Sequence, residues 1–201
     1  MTETRIAAVF RAIDQANAED PNQEQDGDNT YPKEVLYAQR MSAWLQRLQP
    51  QANEPLRIAA HAQHIRRWEI PRDEFKTGLA GYLRWRKQLY QFHADQTEAL
   101  MRPLAYPEED IQRVRQLLLK DPKDDSDEAQ TLEDVACLVF LDHYFAPFAA
   151  KHDDSKVVDI VRKTWHKMSP QAHQAALALN YPEPLLALIE TALADTGPGT
   201  A

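Results

Sequence analysis

Cysteine occurs once in these 201 residues, at Cys137. No internal disulfide can form, and a single thiol points to a reducing compartment. Glycine is nearly as scarce, with five residues. Neither a Walker loop nor a GxGxxG, CxxC or GxSxG pattern is present. P-loop, Rossmann, zinc-ribbon and hydrolase-elbow chemistry therefore lack support. No run of eighteen apolar residues exists, so no membrane-spanning helix is expected. The segment Met1 to Arg5 lacks the basic start and apolar core of a secretory signal, and cytoplasmic residence is the expectation. Positive charge is outnumbered, 23 Lys and Arg against 31 Asp and Glu, for a net charge of −8. That balance argues against duplex DNA as a partner of the whole surface. A local basic patch that holds a small anion stays compatible with it.

What the chain has in quantity is helical periodicity. Ile6, Val9, Phe10 and Ile13 recur at the spacing of one helix face,. Similar stripes run over about Lys33 to Leu48 and Leu79 to Met101, after Pro107, and over about Asp127 to Phe145 and Asp154 to Lys167,. A third helix is expected from about Asn53 through His64, ending before Pro71 because the residue ahead of a proline avoids the helical region. Ser169-Pro170 pairs a capping hydroxyl with a proline suited to the first helical turn. Residues 19–30, polar and acidic, read as an exposed loop,. The pattern predicts an all-α, single-domain bundle of about eight to nine helices over residues 1–194, with a disordered tail at 195–201 and no strand.

The richest chemistry lies in His61-Ala-Gln-His64-Ile-Arg-Arg-Trp68-Glu-Ile-Pro-Arg72, with two imidazoles, three guanidiniums and an indole. Histidines three apart on one helix face the same way, so both rings would approach one point. Imidazole suits metal ligation or acid–base work, and two surface histidines are the plainer alternative. Arg67, Arg72 and Arg86, interleaved with Trp68, Tyr82 and Trp85, are candidates to grip a phosphate or carboxylate. A solvated face with core aromatics would leave the same trace. Glu133 and Asp134 open the most apolar helix, and carboxylates entering such a helix need partners or serve its N-terminus.

Several stretches together resemble the family known as domain of unknown function 4202. They are Tyr37-Ala-Gln-Arg-Met41, Gln63 to Arg72, Gly81-Tyr-Leu-Arg-Trp-Arg86, Phe92-His93, Leu132 to Leu141 and Lys163 to Ser169. More distantly, the order of His64, His93 and Asp134 is similar to the HD-domain phosphohydrolases, an all-helical superfamily with His and Asp metal ligands. That likeness implies His64, His93 and Asp134 as a reduced ligand set for a divalent ion (Mn, Fe, Ni or Zn). It implies His61, Lys120 and Glu133 as catalytic groups, and Arg67, Arg72 and Arg86 as the anion clamp. Tyr37 and Ile65 stand where that superfamily carries a histidine and an aspartate, which opens the alternative of a pocket without metal. The two expectations are a metal-dependent phosphohydrolase of a small phosphorylated metabolite or nucleotide, and a metal-free binder of an anionic ligand, an RNA end included.

Overall fold

The computed structural model describes residues 4–194. Helices dominate it, and the chain divides into two compact units, residues 1–132 and 133–201.

The first unit opens with α1 (Arg5–Asn17). Thr4 caps it by accepting the amide of Ala7 at 3.4 Å,. A hairpin follows, β1 (Gln23–Asp26) antiparallel to β2 (Asn29–Pro32). This corrects the expectation of a loop without strands. The two-residue connection begins at Gly27 with φ of 59°, the backbone that a tight hairpin demands at its first loop position. The acidic residues hold the hairpin down. Glu24 and Asp26 both pair with the guanidinium of Arg40, which is buried on the next helix.

That helix is α2 (Lys33–Leu48), with the bounds its periodicity predicts. Next comes α3 (Glu54–His61), capped by Asn53, whose side chain accepts the amide of Leu56 at 3.0 Å. The helix stops at His61 instead of running through His64. Residues 62–66 form turns, and Arg66 takes a left-handed backbone with φ of 50°. Its amide is drawn out of the helical pattern by the side-chain oxygen of buried Asn17, at 2.9 Å. Two short 3-10 turns, Arg67–Glu69 and Arg72–Glu74, lead to α4 (Leu79–Met101). Then come α5 (Glu108–Leu119) and α6 (Asp127–Val139), which carries the chain into the second unit. α4 packs on α5, α3 on α5 and α2, and α1 on α2, α3 and α4. Their inward faces bury Ile13, Met41, Leu56, Ile58, Leu89, Met101 and Ile111.

The start of α4 depends on one glycine. A Cβ on Gly81 would lie 1.8 Å from the carbonyl oxygen of Lys76. That oxygen also accepts two bonds, each 3.1 Å, from the Arg72 guanidinium. Gly81→Ala must push this carbonyl away and break them. The expected loss is about 1–3 kcal/mol of stability, read as a lowered melting temperature by circular dichroism.

In the second unit a π-type segment, Phe140–Tyr144, follows α6 and leads into α7 (Phe145–Ala149). The apolar stripe predicts one continuous α-helix to Phe145, and the α-helical pattern instead ends at Val139. α8 (Asp154–Trp165), α9 (Pro170–Leu177) and α10 (Glu183–Ala194) complete the unit. Ser169 caps α9 as its sequence implies, accepting the amide of Ala172 at 3.3 Å. Phe145, Val157, Val161, Ile189 and Ala192 form the core. The expected tail, 195–201, lies outside the described residues. No helix among the described residues is long and apolar enough to cross a membrane.

Candidate functional site

The break after α3 sends the two histidines of the motif in different directions. His61 turns to Ser42 and Asp14. His64 turns to α2, where its ring stacks flat on Tyr37 at 3.8 Å between centroids. Tyr37 thus contributes a stacking face for the imidazole.

Around His64 the first unit assembles a cluster of charge. Glu34, in the first turn of α2, places Oε2 3.3 Å from His64 Nδ1. This is an approach rather than a formed hydrogen bond, and Oε2 has no hydrogen-bond partner. On the other ring nitrogen, Arg67 brings Nη1 to 3.4 Å from His64 Nε2. Arg67 itself lies over the face of Trp85, 4.8 Å from the ring centroid,. The indole N–H of Trp85 donates to the carbonyl of Ile70 at 2.9 Å, which fixes that face. His93, from α4, sits 6.1 Å from His64 between ring centroids. Its Nδ1 donates to the carbonyl of Ile65 at 2.8 Å, and its Nε2 is buried with no hydrogen-bond partner. Lys120, in a left-handed backbone just past α5, holds Nζ 6.0 Å from the ring centroid of Tyr90. Arg86 donates to the hydroxyls of Tyr82 and Tyr90.

The electrostatics follow from burial and from these cations. Burial holds His64 well below the ordinary imidazole range, and the fields of Arg67, Lys120, Lys33 and Arg86 push it the same way,. The ring still keeps 24% of its side-chain surface exposed. His93 falls to about 3, through burial first, then the nearby His64. Glu34 moves oppositely. Burial lifts its carboxyl to about 7, against the pull of Arg67 and Lys33. Burial also lowers Arg67, though a guanidinium stays charged at any working pH,.

These shifts set a pH dependence. Below 6.5 the unfolded chain takes up a proton at residue 93 that the folded protein refuses. Stability from this group is therefore lost as pH falls from 6.5 toward 3,. Glu34 is still protonated in the fold where the unfolded chain has ionised, from 4.5 up to about 7, so its contribution is lost as pH rises through that window,. The two slopes cancel between 4.5 and 6.5. Below 4.5 the histidine term stands alone, with about 2 kcal/mol of the roughly 5 kcal/mol that it carries in full,. His93→Asn keeps an amide donor at the place of Nδ1 for Ile65 and removes the titration. Urea unfolding from pH 6 to pH 3 is expected to show a shallower acid loss for that variant than for the wild type.

Of the remaining candidates, Arg72 borders the cluster, 6.0 Å from the ring centroid of Trp85, and Glu133 and Asp134 stand elsewhere. The Arg72 guanidinium donates to the carbonyls of Phe75 and Lys76 and anchors a turn. Glu133 and Asp134 belong to the second unit. Glu133 lies 3.3 Å from Lys167, and buried Asp134 accepts the amide of Ser169 at 2.8 Å, the residue that caps α9. Among the described residues, no group of three or more His, Cys, Asp or Glu side chains is arranged to hold a metal ion.

Sequence reasoning missed Glu34, Asp20 and Asn17. Asp20 accepts the Glu34 amide at 3.1 Å, and Asn17 donates to the Glu34 carbonyl at 3.4 Å. Asn17 also bonds the Arg66 amide, so one buried amide side chain positions both the acid and the turn that carries Arg67. The run Asp20-Pro21-Asn22 was the one available signal, since it reads as a side-chain-stabilised turn. Asp20 accepts the amide of Asn22 at 2.9 Å.

The described residues form a mostly helical protein whose first unit holds an imidazole–guanidinium cluster walled by aromatic rings. The chain belongs to the family described as Domain of unknown function (DUF4202), whose model matches residues 7–189. No curated protein and no solved structure matches it.

Proposed function

We propose that the His64 cluster binds a small phosphorylated metabolite or nucleotide, or a phosphorylated RNA end, through Arg67, Arg86 and Lys120. One observation carries this reading: Arg67 stands 3.4 Å from His64 Nε2 and over the face of Trp85, while Arg86 and Lys120 share the ring of Tyr90, so that several cations converge on the imidazole of His64. A net negative chain that gathers positive charge at one point attracts an anion there. Guanidiniums already seated on aromatic faces and tyrosine hydroxyls lose little freedom when they take a phosphate. His64, neutral, adds a polar ring. Glu34 tempers the charge and can exchange a proton with the ligand near neutrality. The lone, buried Cys137 suits the cytoplasm as the place where this happens,. Calorimetric titration with inorganic phosphate and pyrophosphate, in metal-free buffer with chelator, tests the reading. Binding that weakens with added salt supports it; no heat and no thermal stabilisation by either anion would end it.

A second reading, hydrolysis at a divalent ion, is favoured by the unpartnered, buried Nε2 of His93 beside His64. The donor set around it fits such an ion less well. Both nitrogens of His64 face other groups, and the surrounding cations oppose a dication. Elemental analysis of untagged protein beside His64→Ala tests it, with metal lost in the variant as the supporting result.

A further inference from the structure

His61 has its own constellation, apart from His64. Ser42 on α2 places Oγ 2.8 Å from His61 Nδ1, and His61 Nε2 lies 3.0 Å from Asp14 Oδ1 on α1. The imidazole is 4% exposed and lies flat against Phe10, with ring centroids 4.2 Å apart. The carboxylate can only accept, so Nε2 carries the hydrogen and Nδ1 offers its lone pair to the Ser42 hydroxyl. This is the order of a nucleophile, base and orienting acid, connected through the opposite ring nitrogens from the serine-protease arrangement.

Such a chain could serve only to tie three helices together. What separates this one is its outlet. Ser42 lines a cavity of about 140 Å³ with Phe10, Leu45, Gln46, Gln49 and Arg57. Gln46 and Gln49 carry amide N–H donors. Arg57 is half-buried, and no ion pair engages it among the described residues. A nucleophile, neutral donors and an unengaged cation thus share one hollow.

We propose that Ser42, activated by His61 and oriented through Asp14, is the nucleophile of an acyl-transfer site for small esters that carry a carboxylate. The Ser42 oxygen adds to the ester carbonyl carbon as its proton passes to His61 Nδ1. The carbonyl oxygen becomes an oxyanion, with the side-chain amides of the two glutamines as its candidate donors. When the C–O bond to the alcohol breaks, His61 returns the proton to the departing oxygen and Ser42 is left acylated. Water then adds to the acyl carbon and gives one proton to His61. The acid leaves as the Ser42 oxygen recovers that proton. Arg57 holds the carboxylate of the substrate throughout.

The test uses the full chain and a fluorophosphonate, which loses fluoride when a serine oxygen attacks its phosphorus. Intact-mass analysis is expected to show one adduct, and peptide mapping to place it on Ser42. Mapping needs no variant, so it stands even where Ser42→Ala fails to fold. His61→Gln, confirmed folded by circular dichroism, should slow labelling about 100-fold or more, an effect that a purely structural tie would not produce. Arg57→Gln should narrow the preference for 4-nitrophenyl hemisuccinate over 4-nitrophenyl acetate. No adduct, an adduct on another residue, or equal labelling rates in wild type and His61→Gln would overturn the assignment. Phosphate binding at His64 is measured separately, so failure of either site is distinguishable from failure of the other.

Discussion

Replacing Arg67 by alanine is expected to weaken inorganic phosphate binding about 100-fold, from the loss of charge-assisted hydrogen bonds in a partly buried site. Arg67 occupies the centre of the cluster. It sits at 3.4 Å from His64, over the face of Trp85, and within the field of Glu34. Its removal also withdraws the strongest opposition to the burial that lifts the Glu34 carboxyl, so that group should stay protonated to higher pH. The same change relieves the foremost cationic pressure on His64. Arg67→Lys should recover part of the affinity only. An ammonium keeps the charge but loses the planar stacking on Trp85 and the forked donors. Calorimetry at fixed ionic strength reads the effect. An Arg67→Ala protein that binds phosphate as tightly as the wild type would remove the basis for the proposed ligand class.

Phe145→Ala is expected to destabilise the second unit by about 3–5 kcal/mol. The ring is 1% exposed and stands at the end of the π-type segment, where Phe140 and Tyr181 meet it at 6.2 and 6.1 Å between centroids. Val157, Val161 and Ile189 complete its surroundings. Truncation leaves a void among aromatic and β-branched side chains that cannot close over it. Trp165 is the one tryptophan of residues 133–201. Its fluorescence in urea should therefore report this transition, with the midpoint lowered by about 1–2 M. A shift under 0.5 M, at about the same slope, would mean that the core around residue 145 is far looser than its burial suggests.

The helices were legible because their signals are local. The stripes over Lys33–Leu48 and Leu79–Met101 give the observed bounds, and Ser169-Pro170 starts α9 where its capping chemistry says it should. The hairpin was not legible. Its strands, Gln-Glu-Gln-Asp and Asn-Thr-Tyr-Pro, carry almost no apolar alternation and are held by the distant Arg40. The end of α3 failed for a similar reason. Nothing in Ala62 to Arg66 stops a helix, and the residue that captures the Arg66 amide is Asn17, 49 positions earlier. Of the cluster, His64, Arg67 and Arg86 stand out by residue type, whereas His93 and Lys120 enter only through the HD-domain resemblance. Glu34 does neither, because a glutamate in a first helical turn looks like ordinary dipole chemistry until its burial is known.

The end of α3 at His61 has an effect on how this protein can change over generations. Had α3 continued, residues 61 and 64 would have shared one environment, and any exchange at the first would have disturbed the second. The turn after residue 61 gives each ring its own partners. Either imidazole can be replaced, tuned or lost under selection while its neighbour three positions away keeps its own contacts intact.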